Sequence, residues 1–122
     1  MNITPLQKKI NHNILIKNTI IIICTVPNDN KSTHLSIAKT LITNKLAACV
    51  TILPNTHSIY YWENQIQKQE EIQLIIKTCA TLEQSVFQYI KTKHPYQIPE
   101  LLTLKITNGE PNYLLWIYNL LN

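Results

Sequence analysis

The chain contains no arginine; every one of its eleven basic residues is a lysine. Planar, two-pronged recognition of phosphate, carboxylate or guanine relies on a guanidinium fork. Its absence argues against a nucleic-acid reader and against an enzyme that cradles phosphate. The net charge of +4 is mild and scattered, which fits a solvated surface better than a polyanion groove. Glycine is nearly missing too: Gly109 stands alone, so neither common glycine-rich phosphate loop exists. Cys24, Cys49 and Cys79 are odd in number, far apart and without a CxxC pair, a pattern of reduced thiols rather than a secreted disulfide framework. No apolar run is long enough to span a bilayer, the longest being Thr19 to Val26. Asn11, His12, Asn13 and Lys17 interrupt any signal-peptide core. These absences predict a soluble cytoplasmic protein with neither nucleic acid nor membrane as partner.

What is present is a single domain of 122 residues with an apolar fraction of 45%, large enough to bury roughly two-thirds of its unfolded surface. Residues 1–17 are polar with scattered apolar positions and read as a flexible N-terminal extension; residues 18–122 read as the folded domain. The β-branched run from Thr19 to Thr25 predicts a central strand. Pro27-Asn28-Asp29 ends it and supplies helix caps, and Leu35, Ala38, Leu41 and Ile42 then recur at helical spacing. Ala47–Leu53 and Glu70–Lys77 alternate as strands, with Pro54-Asn55 bending the chain between them. Thr81 and Gln84 suggest a capping box for a helix carrying Leu82, Val86, Tyr89 and Ile90, which stops at His94-Pro95. Leu102, Leu104 and Ile106 mark one face of a fourth strand. Pro111 opens a last short helix whose apolar face carries Leu114, Ile117, Tyr118 and Leu121.

The order β-α-β-β-α-β plus a final helix predicts an α+β, ferredoxin-like fold with both crossover helices on one face of an antiparallel sheet. The hairpin running from Ala47 to Lys77 overshoots so small a body, and it carries Tyr60-Tyr61-Trp62. An overhanging ribbon of this kind needs a partner edge, and a second copy of the same chain supplies one most simply.

The topology brings the end of the first strand and the end of the second helix to one end of the sheet, and with them Cys24 and His94. A thiolate and an imidazole there suit a soft or borderline metal, copper before zinc. The plain alternative makes Cys24 a small buried hydrophobe and His94 a helix C-cap. A Cys-His nucleophile pair is a third reading, without an activating third group. Glu63, Glu70 and Glu71 read as a solvated strand face. An RNA-binding module of this topology needs stacking aromatics on strands one and three, and those strands have none. No acid-base pair with a defined geometry stands out, so no catalytic residue is assigned.

Cys24-Thr25-Val26-Pro27, Asn44 through Val50, Ser58 through Glu63, Lys77-Thr78, His94 through Glu100 and Tyr113 through Trp116 stand in an order and spacing that resemble the CutA divalent-cation tolerance family, particularly its enterobacterial members. The resemblance spans roughly Asn18 to Leu121. It implies a cytoplasmic homotrimer of ferredoxin-like subunits, not an enzyme, linked to tolerance of copper and other divalent metals. It also implies a copper site of one ion per subunit, made from a first-strand cysteine and two consecutive histidines after the second helix. The cysteine falls on Cys24 and the second histidine on His94. The first falls on Lys93, whose ammonium has no lone pair, so copper is expected to bind weakly. A different reading keeps the trimer but makes it a signalling or scaffold module, holding a small anionic ligand or a protein partner in clefts between subunits.

Overall fold

The computed structural model of the chain describes residues 10–122. Its elements are α1 (His12–Asn18), β1 (Thr19–Pro27), α2 (Thr33–Thr43), β2 (Cys49–Trp62), β3 (Gln65–Cys79), α3 (Glu83–Lys93), β4 (Leu102–Lys105) and α4 (Pro111–Leu121). The four strands form one sheet in the order β2-β3-β1-β4, every neighbouring pair antiparallel. This is the ferredoxin-like α+β arrangement expected from the element order.

One face of the sheet is packed by helices. Ile20, Ile22, Cys24 and Val26 alternate inward on β1, opposite Ile72, Leu74 and Ile76 of β3, and meet Ile37 and Leu41 of α2 and Val86 and Ile90 of α3. The buried face of α2 turns on Ile37, Ala38 and Leu41, while Leu35 and Ile42, expected inside, are exposed. The N-cap of α2 is Ser32, which gives no side-chain cap; Asp29, three residues earlier, accepts from the Thr33 amide at 3.1 Å and the Thr33 hydroxyl at 2.6 Å. The capping box proposed for α3 does not form. A 3-10 turn, Ala80–Leu82, leads into that helix without a side-chain cap.

The other face of the sheet carries Ile21, Ile23 and Ile75, and β4 adds Leu102 and Leu104 beside Ile23 and Ile21. Leu102 and Leu104 remain about half exposed, and Thr25, Gln73 and Lys77 share this face with them, so among the described residues its apolar part beside β4 is only partly covered.

Pro54-Asn55 does not end a strand. It is absorbed as a bulge within a 14-residue β2, with Asn55 in the left-handed region at φ 61°, an irregularity a ladder tolerates where proline offers no donor. The reversal comes later, at Glu63 and Asn64, which both take positive φ, as a two-residue hairpin turn with the strands' twist requires. β1 pairs with β3 only as far as Pro27 opposite Glu71. Beyond that point, His57–Trp62 and Gln65–Glu70 pair only with each other, and the hairpin overhangs the body.

Residues 1–9 of the expected extension lie outside the described residues. The remainder, to residue 17, is corrected: it is mostly helix. Leu15 is buried with Leu114 and Leu115 of α4, and Ile10, Ile16 and Tyr118 pack around them. An apolar helix face is stable when something covers it, and α4 does so here. Gly109 admits this packing, since a Cβ there would stand 2.9 Å from Leu114 Cδ2.

Candidate functional site

Cys24 and His94 do converge. β1 delivers Cys24 into the core, fully buried. His94 is the C-cap of α3, its helical geometry ended by the proline that follows. β4 pairs with β1 no further than Ile23, so the backbone beyond lacks a partner strand on that side. A buried carbonyl there must find a donor. His94 Nε2 supplies it, 2.6 Å from the Thr25 carbonyl oxygen, and the Cys24 thiol reaches the same oxygen at 3.7 Å.

The tautomer follows from the partners. The Tyr96 amide donates to His94 Nδ1 at 3.1 Å, so Nδ1 carries the lone pair and Nε2 carries the proton given to Thr25. Both ring nitrogens are therefore engaged. Burial pushes the Cys24 thiol up to about 12, helped by the negative charges of Glu100 and Glu71. Lys93, the third expected ligand position, is exposed at the end of α3 and offers no lone pair as an ammonium. Among the described residues, no group of three or more His, Cys, Asp or Glu side chains is arranged to hold a metal ion. The donor set in this conformation does not fit a preformed copper centre: the sulfur is held protonated and the imidazole is committed to backbone.

Beside this point lies a groove of about 850 Å³ between the hairpin overhang and the segment after α3. Tyr60 and Trp62 line one wall, Tyr96, Ile98 and Glu100 the other, with Gln69, Glu71 and Thr25 between them. Glu71, expected on a solvated face, is buried to 3% exposure. The Tyr96 hydroxyl donates to its Oε2 at 2.8 Å and lies 3.2 Å from Gln69 Oε1. Burial, then the bond to Glu71 and that residue's charge, raise the Tyr96 hydroxyl pKa, so it remains a donor. Burial and the charge of Glu71 also raise Glu100 above the usual carboxylate range. Sequence reasoning missed the Glu71–Tyr96 pair, because alternation alone places Glu71 on the polar face of β3. The signal was the run His94-Pro95-Tyr96, which puts an aromatic donor right after the helix stop.

The CutA1 divalent ion tolerance protein family matches residues 20–119. The divalent-cation tolerance protein CutA of Citrobacter koseri is 39% identical over 104 residues, covering 85% of this chain and 89% of that protein. The crystal structure of CutA1 from Oryza sativa superposes with a TM-score of 0.81 at 37% identity, covering 86% of this chain and 94% of the other. CutA from Xylella fastidiosa gives 0.80 at 36% identity, covering 86% and 99%. The match begins at the first strand and so leaves α1 outside it, while taking in the strand order, the long hairpin and the His94–Thr25 corner. This chain belongs to the CutA1 divalent ion tolerance family.

Proposed function

We propose that this chain contributes to tolerance of copper and other divalent metals as a cytoplasmic homotrimer without catalytic turnover. The supporting observation is the meeting of Cys24 and His94 on the Thr25 carbonyl, next to Glu71 and Glu100, whose charge favours a cation. Thiolate and imidazole are ligands copper prefers. One ion per subunit binds through Cys24 and His94 only once the thiol loses its proton and His94 gives up its backbone bond, and Lys93 adds no lone pair, so the binding is weak. The trimer draws support from the overhanging hairpin, where Ile59, Tyr61 and Ile66 are each about two-thirds exposed or more, and from the half-exposed Leu102 and Leu104 on the second sheet face.

Copper titrated calorimetrically into the full chain is expected to give weak, saturable heat. Cys24→Ser abolishes it, and Lys93→His tightens it. Heat that is absent in the unmodified chain, or unchanged in Cys24→Ser, removes copper from the reading.

The groove favours a second reading, a trimeric signalling or scaffold module with a small ligand in inter-subunit clefts. Glu71 and Glu100 line that groove and no lysine does, which suits a neutral or cationic ligand there; the anionic ligand or protein partner of the second reading belongs to clefts between subunits. Under this reading no variant gives copper heat.

A further inference from the structure

The groove between the hairpin overhang and the segment after α3 has the size of a small-molecule site. Its volume of about 850 Å³ lies within the range of roughly 300–1,000 Å³ typical of such pockets. Tyr60 and Trp62 reach it from β2, and Tyr96 closes the opposite wall. Of the exposed hairpin residues assigned to the trimer, Ile59 touches the groove, while Tyr61 and Ile66 do not. Tyr61 and Ile66 pair across the hairpin and alternate with Tyr60 and Trp62, which puts them on its other face. The aromatic wall therefore stays with the groove when that other face is covered.

The groove is acidic and lacks a counter-charge. Glu71 lines it at 3% exposure, Glu100 stands exposed at its rim, and no lysine or histidine lines it. A carboxylate taken out of water needs a cation or several donors. The Tyr96 hydroxyl gives Glu71 Oε2 one bond at 2.8 Å. A phenol has a single hydrogen to give, yet Gln69 Oε1 also lies 3.2 Å from it, so acceptors outnumber donors around that bond. The uncompensated charge reaches the neighbours. Burial first, and then the charge of Glu71 among other causes, raises the pKa of Cys24, Tyr96 and Glu100 alike.

We propose that this groove binds a small protonated amine carried on an aromatic body. The ammonium sits between Glu71 and Glu100 and supplies the N–H donors that these carboxylates and Gln69 lack. Charge-assisted bonds of this kind are the strong ones. The body of the ligand lies against Tyr60, Trp62 and Tyr96, rings that attract both apolar surface and a cation. An anion is repelled here. A metal ion gains nothing from aromatic walls and, among the described residues, finds no third carboxylate, thiol or imidazole grouped with the two glutamates. The proposal goes beyond both readings above, since it needs neither copper nor a residue from a neighbouring subunit.

The test titrates 2-phenylethylamine calorimetrically into the full chain at neutral pH, and saturable binding is expected. 2-Phenylethanol and phenylacetate keep the body without the positive charge, and the trimethylated ammonium keeps the charge without N–H. Each is expected to bind roughly tenfold more weakly or worse, the scale of a lost bond to a charged group. Glu100→Gln, at an exposed position, is expected to weaken the amine roughly tenfold on the same ground, with a melting curve confirming the fold. Trp62→Leu should weaken it roughly threefold or more through the lost ring. No saturable binding, equal affinity for the alcohol or the trimethylated analogue, or a folded Glu100→Gln that binds as before overturns the proposal. Cys24→Ser should leave amine affinity unchanged while removing copper heat, so failure here leaves the copper reading intact.

Discussion

His94 Nε2 donates to the carbonyl oxygen of Thr25 at 2.6 Å, across 69 residues of sequence. This bond closes the corner at which β1 outruns β4, and it fixes the imidazole so that Nδ1 can accept from Tyr96. His94→Ala leaves the part-buried Thr25 carbonyl with only the weak Cys24 thiol contact, at a cost of about 1–3 kcal/mol. Urea unfolding of the two proteins, compared at equal slope, measures it. A change within a few tenths of a kcal/mol means that water replaces the imidazole and the corner is not dry.

The Glu71–Tyr96 pair is the second test. Tyr96→Phe keeps the ring and removes a hydroxyl donor to a carboxylate of 3% exposure. Bonds to charged groups are worth about 1.5–3 kcal/mol, so the variant should lose stability on that scale. Glu71→Gln combined with Tyr96→Phe should lose less than the sum of the separate losses, because each change removes the same contact.

Glu100 supplies a pH dependence. Its pKa is raised in the folded protein by burial and by Glu71, so folding favours its protonated form. The sign follows: the contribution is fully present below the unfolded carboxylate range and is lost as pH rises through the raised folded value. At neutral pH the ionised group is therefore a net cost, and Glu100→Gln should raise the melting temperature there. The gain should fade as the solution is acidified through the carboxylate range. A gain that is constant with pH would place its origin elsewhere than in charge.

Leu15 tests the N-terminal helix. Its side chain is 2% exposed between Leu114 and Leu115, and a buried leucine truncated to alanine costs about 2–5 kcal/mol. A helix this short is marginal by itself, so Leu15→Ala should also release α1, seen as rapid amide exchange over residues 12–18. Unchanged stability would return the segment to the status of a loose extension.

The overhang tests the assembly. Tyr61 and Ile66 face each other across the hairpin and are 74% and 66% exposed. Changing both to lysine places like charges on the surface proposed to be covered by other copies. Sedimentation equilibrium should then show a shift from trimer towards the 14.2 kDa chain. If the unsubstituted protein already sediments at that mass, the trimer is wrong.

The strand and helix order was legible because the apolar periods are strong: Ile20, Ile22, Cys24 and Val26 alternate on a central strand, and Val86 and Ile90 recur on a helix. The convergence of Cys24 and His94 was legible as well, since a right-handed crossover leaves few places for the end of α3. The length of β2 was not. A Pro-Asn pair signals a turn in sequence, and only the pairing of both flanks with β3 shows that the ladder runs through it as a bulge. α1 was hidden for a similar reason: its few apolar residues look random until α4 lies against them.

By itself, then, the residue order determined which segments are strands and helices and which two ligand-type side chains meet, because both follow from local period and chain direction. Only the tertiary structure decided what those side chains are free to do. His94 is committed to Thr25 and Tyr96, Glu71 is buried under Tyr96, and Cys49 stands across from Lys77. The reason is physical: availability of a lone pair or a charge depends on neighbours brought from distant segments, and no local pattern encodes them.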